Sequence, residues 1–520
     1  MKVKYLELKE KEEFFIKEIE NPIFCLSNNN HWFLYSLKEK SNYFGYWVKL
    51  GENVFKIVED IEIREEIKEV EIFDEKKIIL ITDNNKISIY LDSQGLNIES
   101  ILPIFIKIFL DPRKLYSKKQ LEKFSILPKE NSFFLNFSEK EEELNFTISY
   151  DGNLKLLNSK IKRVYDFDKK RNSKDFEFEV LEGFEGVVSK IKILSLDKKP
   201  SSEIFENIKN QYLNLKKFVL RRIISLYDNG FLAGLMWFSQ RWFRDELLSL
   251  YFLNIKEIKN YVIKDYLENL DDWWDKNKKD GTISADTFLL LVNIMDDEDI
   301  ENNKEKILEI LEKWKKKFMK NNEIILPPKS TWMDTLDRRK AIEIDILYLN
   351  LLKKLNLEEE FKKHKTLLKT QILSNLYPES EIYSPNIFLG YAFCKDLFNE
   401  VEWESFFNKV IERTYLKWGG FSTIDINDPK FKNKHTGEDP SSYHSGDSWF
   451  WINNLGAWCL KDLNYKKYEE IIKKIVDASI KNLLSLSVCG FMSELSSAEN
   501  LTSEGCLIQL WSLSSLFKIL

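Results

Sequence analysis

The periodicity of the chain changes near residue 200, and that change divides its 520 residues into two kinds of structure. Before it come short β-branched or aromatic runs: Ile23-Phe-Cys-Leu26, Tyr46-Trp-Val-Lys-Leu50, Ile78-Ile-Leu-Ile-Thr82, Lys86-Ile-Ser-Ile-Tyr90 and Phe176-Glu-Phe-Glu-Val180. Such runs, often alternating apolar and polar residues, read as half-buried strands. Asn and Gly turns punctuate them at Ser27-Asn-Asn-Asn-His31, Asp83-Asn-Asn85 and Asp151-Gly-Asn153. An antiparallel β-sandwich over residues 1–200 is the expected fold of this half. The Lys-rich stretch Ser117–Lys123 reads as a surface helix or a loop.

From Ser201 the period becomes helical. Ser201-Ser-Glu-Ile-Phe-Glu-Asn-Ile208 opens with a capping signature and continues with apolar residues at helical spacing. Helical segments then follow one another as far as Ile508–Lys518. At ~26 residues per helix and connection, residues 201–520 hold about a dozen helices. That number suits an all-α ring of six inner and six outer helices, a six-hairpin (α/α) toroid. No fixed repeat is visible, which argues against a helical solenoid.

Composition narrows the function. Lys and Arg number 78 against 84 Asp and Glu, a net charge of −6 with the signs interspersed, so no field draws nucleic acid or anionic lipid. Five scattered cysteines form no CxxC and suggest free thiols in a reducing cytosol. The charged N-terminus does not read as a secretory leader, and no apolar run is long enough to span a bilayer. A cytoplasmic protein is therefore expected. Aromatics are abundant at 14%, which fits carbohydrate recognition and fits a large helical core equally well.

Four clusters of Trp, carboxylates and small residues fall at expected loop–helix junctions. The first is Ala233-Gly-Leu-Met-Trp-Phe238, followed by Arg244 and Asp245. The second is Ser330-Thr-Trp-Met-Asp334, with Glu343 beyond it. The third is Tyr443-His-Ser-Gly-Asp-Ser-Trp-Phe-Trp451. The fourth comprises Gly490-Phe-Met-Ser-Glu494 and Gly505-Cys-Leu-Ile-Gln-Leu-Trp511. Indole faces stack on the apolar face of a sugar ring, and an Arg–Asp pair grips its hydroxyls. Paired carboxylates are the minimum equipment for cleaving a glycosidic bond: one protonates the leaving oxygen and the other activates water or attacks the sugar. Asp334 follows Trp332, whose indole would raise a carboxyl pKa as a general acid requires. The plainer reading makes Asp334 and Glu494 helix-capping acids. The four histidines lack metal-ligand spacing, and there is no Walker A or GxGxxG run, so neither metal nor other cofactor is expected.

Taken in order, these clusters resemble the motifs of archaeal and bacterial glycogen-debranching enzymes of the amylo-α-1,6-glucosidase type. Ala233-Gly-Leu-Met-Trp-Phe238 with Arg244-Asp245 resembles "AGLPWF … RD", and Thr331-Trp-Met-Asp334 resembles "TWMD". Ala341-Ile-Glu-Ile344 is similar to "VEI", Tyr443–Trp451 to "YHQGTVWPW", and Gly505–Ser512 to "GC-AQAWS". The resemblance covers roughly residues 205–520. It implies a glucoamylase-related α/α toroid and an inverting mechanism, with Asp334 as general acid and Glu494 as general base. It also implies a glucose site built from Arg244, Asp245 and His444, walled by Trp237, Trp332 and Trp449. Phe238, Glu343, Tyr443 and Trp511 complete the expected substrate-binding set.

Three departures stand out. Met236 replaces the family's Pro, Thr335–Lys340 is shorter than the "TPR-G" stretch, and Ser496–Glu504 lacks a proline-rich lead-in. The β-rich half, at about 200 residues, is smaller than the ~250 of a (β/α)8 barrel, so no transferase barrel is expected in it. The implied activity is exo-hydrolysis of α-1,6-linked glucose from glycogen or limit dextrin. Rival readings are a glucoamylase-like or trehalase-like α-glucosidase, a glycoside phosphorylase using Arg338-Arg-Lys340 for phosphate, and a non-catalytic carbohydrate-binding protein.

Overall fold

The computed structural model describes residues 1–10, 13–28, 30–51, 53–139, 142–195, 214–268, 278–279 and 282–520. The expected helix start at Ser201–Ile208 lies outside them. The chain forms two compact units: Met1–Gln240 with Leu483–Phe491, and Arg241–Asn482 with Met492–Leu520.

The first unit is built on a 14-stranded sheet. Its strands are β1 (Lys2–Glu10), β2 (Glu13–Glu18), β3 (Ile23–Asn28), β4 (His31–Ser36), β5 (Gly45–Leu50), β6 (Asn53–Ile63) and β7 (Glu69–Ile72). There follow β8 (Lys77–Ile81), β9 (Lys86–Leu91), β10 (Gly95–Lys114), β11 (Lys123–Lys129), β12 (Ser132–Glu139), β13 (Glu142–Val164) and β14 (Glu177–Ser195). The main path runs β11-β12-β13-β14-β10-β9-β8-β7-β1-β2. Strand β10 divides it: Leu96–Ser100 pair with β9, and beyond a register shift Ile106–Lys114 pair with β6, which leads to β5, β4 and β3. Burial follows the sequence. Strands β8 and β9 alternate, whereas the continuous apolar run of β3 is buried throughout.

Two expectations for this half need correction. The sheet is mixed, because β1 pairs parallel to β7 from Lys2↔Glu69 to Tyr5↔Ile72. Alternation fixes which face of a strand is buried but says nothing about its direction, so the sequence could not reveal a parallel pair. Asp151-Gly-Asn153 is not a turn but a bulge inside β13, with a register shift between Asp151 and Gly152. Gly152 adopts φ +124°, and a Cβ there would stand 2.4 Å from the Val187 carbonyl oxygen. Ser117–Glu122 is a loop between β10 and β11. Helices α1 (Asp166–Lys170) and α2 (Asn214–Ile224) complete the unit, with Tyr5 donating its hydroxyl to the Leu484 carbonyl.

The second unit is helical, with helices of two characters. Some are buried on nearly every side: α3 (Phe243–Leu253), α5 (Thr287–Ile294), α8 (Ile342–Lys354), α11 (Ile387–Phe393), the first half of α13 (Phe450–Lys481) and α14 (Leu510–Ile519). Others bury only a stripe, including α4 (Lys256–Glu268), α7 (Lys304–Phe318), α9 (Glu358–Leu373) and α12 (Glu400–Thr414). The short α6 (Asp297–Asn302) and α10 (Glu379–Ile382) link neighbours. Helix α7 buries Ile307, Ile310, Leu311, Trp314 and Phe318, the i, i+3, i+4 spacing of an amphipathic helix. The buried helices pack in succession, α3 on α5, then α8, α11, α13 and α14, and α14 packs back on α3. Among the described residues no helix is long and apolar enough to cross a membrane.

Candidate active site

The N-terminal ends of the buried helices carry several of the residues singled out in the sequence. Arg244 and Asp245 lie in the first turn of α3, and Glu343 in that of α8. Trp449 and Gln509 immediately precede α13 and α14. Backbone N–H groups at these ends lack intrahelical partners, so they favour polar and anionic groups nearby.

Glu494 is the best-defined carboxyl. It is 2% exposed and accepts hydrogen bonds from the Tyr443 hydroxyl (2.6 Å to Oε1) and the Cys506 amide (2.9 Å to Oε2). Its own amide donates to the Cys506 carbonyl at 2.8 Å. Burial pushes its pKa up to about 7; the two hydrogen bonds oppose this, His435 adds a smaller opposing effect, and the charge of Asp334 adds to the rise. Gly505 makes the arrangement possible. Its φ is +65°, and a Cβ there would stand 2.3 Å from Glu494 Oε2.

Asp334 is exposed in the loop before α8, with Oδ2 4.0 Å from Arg244 Nη1. Trp332 is engaged elsewhere: its indole N–H donates to Asn386 Oδ1 at 2.9 Å, and its ring meets His444, Trp449 and Trp451 edge-on. Neither Asp334 nor Glu494 caps a helix, since Ala341 and Gln509 hold the N-cap positions of α8 and α14. Arg244 is fixed from behind by Asp286 (2.6 Å) and Ser284 (2.8 Å). Asp245 accepts from Gln509 Nε2 at 3.1 Å. Burial raises its pKa to about 8; Arg244 opposes the rise, and the charges of Glu494 and Asp334 add to it.

His444 is fully buried and stacked on Trp449, with ring centroids 5.0 Å apart. Burial, with Arg338 and Arg244 nearby, drives its pKa well below the ordinary value, so the ring is neutral. Nδ1 lies 3.4 Å from the Thr335 amide, which can only donate, and this assigns the proton to Nε2. Nε2 has no partner among the described residues, and neither do the indole nitrogens of Trp451 and Trp511. Trp451 and Trp511 stack at 5.4 Å, and Trp449 meets Trp511 edge-on at 5.6 Å. These three buried N–H groups lie beside an aromatic cluster, and leaving buried N–H groups unpaired is costly.

Glu343 is otherwise engaged. Arg338 grips it with two hydrogen bonds of 2.7 and 3.0 Å and also bonds Glu381 and Thr331. Arg338, the first residue of the stretch that the phosphorylase reading gives to phosphate, is buried and neutralised by two carboxylates, a setting hostile to phosphate. Trp237 and Phe238 belong to the first unit. Asn386 and Asp286 escaped the sequence reading, since only the tertiary structure supplies their partners. Among the described residues no group of His, Cys, Asp and Glu could hold a metal ion.

No curated protein matches the chain. Among solved structures it is similar to a GH63 mannosylglycerate hydrolase from Thermus thermophilus, at 11% identity over 58% of this chain and 99% of that one, with a TM-score of 0.40. It is also similar to a GH92 inverting mannosidase from Bacteroides thetaiotaomicron, at 10% identity over 89% of this chain and 72% of that one, with a TM-score of 0.33. Residues 296–518, which hold Asp334, His444 and Glu494, match the family model described as amylo-alpha-1,6-glucosidase, the family that the motifs resemble.

Proposed function

We propose that the protein is an inverting exo-glycoside hydrolase that releases α-1,6-linked glucose from glycogen or limit dextrin. In this reading the helical unit is a six-hairpin α/α toroid and the first unit a β-sandwich appended to it. Arg244, Asp245 and His444 hold the terminal glucose against Trp332, Trp449 and Trp511. Glu494 draws a proton from water, which attacks the anomeric carbon on one face while Asp334 protonates the departing oxygen on the other. Inversion by this route needs the two carboxyl groups about 6.5–9.5 Å apart, leaving room for the water.

The observation that carries the proposal is the environment of Glu494. A buried carboxyl near pKa 7, held by one hydroxyl and one amide, is poised to exchange a proton at neutral pH. Tyr443, whose own pKa burial and Glu494 drive upward, remains a donor throughout this range.

The test is NMR of sugar released from phosphorylase-limit dextrin, maltose and trehalose in parallel. β-Glucose appearing first from limit dextrin alone supports the proposal. α-Glucose as first product overturns inversion, and release from maltose or trehalose moves the preference to α-1,4 or α,α-1,1 bonds. No release from any substrate overturns the hydrolase reading.

A further inference from the structure

One buried ion pair in the helical unit has no part in the chemistry above. His435 and Asp447 lie on the loop 422–447, between the short strands Gly420–Phe421 and Ser448–Trp449. Asp447 is wholly buried, and its Oδ2 accepts from His435 Nδ1 and from Ser442 Oγ, each at 2.7 Å. Its Oδ1 is buried without a hydrogen-bond partner among the described residues. A carboxylate taken so fully out of water requires a compensating positive charge, and His435 is placed to supply it. Asp447 stands where the motif YHQGTVWPW has Thr, so the resemblance assigns it no role.

The loop is fastened to both chain segments that surround Glu494. On one side, Ser442 precedes Tyr443, whose hydroxyl donates to Glu494 Oε1. The Asp447 amide donates to the Ser442 carbonyl at 3.0 Å, and the Thr436 amide donates to Ser442 Oγ at 3.0 Å. On the other side, Ser497 Oγ (2.9 Å) and the Glu499 amide (2.7 Å) donate to the Asn433 carbonyl. Ser448–Trp449 also pair antiparallel with Leu495–Ser496. Gly446, at φ +153°, lets the loop close on itself, since a Cβ there would stand 1.9 Å from the Lys432 carbonyl oxygen. His435 is thereby tied to the segment carrying Tyr443 and to the one following Glu494.

The pair also acts on Glu494 through charge. Burial raises the Glu494 carboxyl and Asp334 adds to the rise, while the charge that His435 carries when protonated opposes it. The other titratable groups facing Glu494 are Tyr443 and Asp245. Those around His435 are Asp447, Lys432, Lys434, Glu438 and Asp439 on its own loop, and Glu499 from the chain after Glu494. Lys434 and Glu499 pair with each other at 3.9 Å on the exposed side.

We propose that His435, oriented by Asp447, is a positioning residue for Glu494: its positive charge favours the ionised base, and its loop keeps the Tyr443 segment in place. The inference rests on the reading of Glu494 as the base and adds a second group that prepares it. Asp447 supplies what an orienting carboxylate gives a histidine, namely a fixed ring, a proton assigned to Nδ1 and a counter-charge.

Two readouts on the full chain test this role. The side-chain carboxyl carbon of Glu494 reports ionisation without requiring catalysis; NMR of protein labelled with 13C at glutamate follows it, and its absence in Glu494→Gln assigns it. In His435→Gln, which keeps an N–H for Asp447 but no charge, the titration of this carbon should move to higher pH. The kcat/KM for glucose release should fall about threefold at pH 6, the factor that about half a unit in the titration gives, and the deficit should close as pH rises. His435→Lys, which restores a cation, should recover most of the loss. If His435→Gln melts early, the double variant with Asp447→Asn, which removes the buried carboxylate as well, carries the same test. A loss of kcat/KM by one factor at every pH, with the carbon titration unmoved, marks a merely structural role and overturns the proposal. A titration that moves equally in His435→Lys overturns it too. A moved titration with no sugar released by the wild type from any substrate leaves the coupling standing and removes the hydrolase reading. Glucose release with an unmoved titration does the reverse.

Discussion

Gly505 lies against Glu494 so closely that a β-carbon at residue 505 would stand 2.3 Å from Oε2, on backbone with φ +65°. The glycine both admits the carboxylate and lets the chain turn so that the next amide, on Cys506, can donate to it. Gly505→Ala should therefore displace Glu494 and misalign the water it activates. The expected loss in kcat is about 100-fold, since small misplacements of reacting groups cost that much. Steady-state glucose release measures it, and an unchanged kcat would remove Glu494 from the chemistry.

Tyr443→Phe deletes a hydrogen bond that favours the ionised form of Glu494. Hydrogen bonds to charged groups are worth about 1.5–3 kcal/mol, so the Glu494 pKa should climb by about one unit or more. The acid limb of the kcat/KM profile, expected near pH 7 in the wild type from the raised Glu494 carboxyl, should then move to higher pH. A limb that stays in place refutes the coupling.

The same shift has a signed consequence for stability. Glu494 holds its proton more tightly folded, at about 7, than at the ordinary 4.5, so folding binds a proton between those values and stability falls as pH rises through them. Keeping Glu494 ionised in the folded protein at pH 8 costs about 3 kcal/mol relative to pH 4. Glu494→Gln, which cannot ionise, should melt higher than wild type at pH 8, and the gain should vanish near pH 4. Denaturation curves at the two pH values decide it.

Arg338 and Glu343 should behave as a structural clamp rather than as a sugar contact. Arg338→Leu strands the buried carboxylate of Glu343 and the half-buried one of Glu381, and should cost about 3–5 kcal/mol of stability. Glu343→Gln should likewise lower Tm. A Glu343→Gln variant with wild-type Tm and a raised KM would restore Glu343 to the substrate site.

His444 should not titrate between pH 5 and 8, because burial and two nearby arginines keep its ring neutral. Its ring resonances should be constant across that range and move when glucose is added. A titration centred near 6.5 would contradict the neutral Nε2–H donor.

Much of this protein was legible as sequence. Alternation in Lys86–Leu91 and helical spacing in Lys304–Phe318 set strand and helix through local geometry alone, because each period places apolar side chains on one face. The motifs around Asp334, His444 and Glu494 were legible as well, and the family match over residues 296–518 agrees with them. The tertiary structure decided what depends on groups distant in the chain. Strand direction put β1 parallel to β7, and burial gave Glu494 its pKa near 7. Partners far away in sequence took Trp332 to Asn386 and Glu343 to Arg338. A residue's type fixes the chemistry it is able to perform; dielectric, neighbouring charge and hydrogen-bond partners, which exist only once the chain has folded, fix which chemistry it performs.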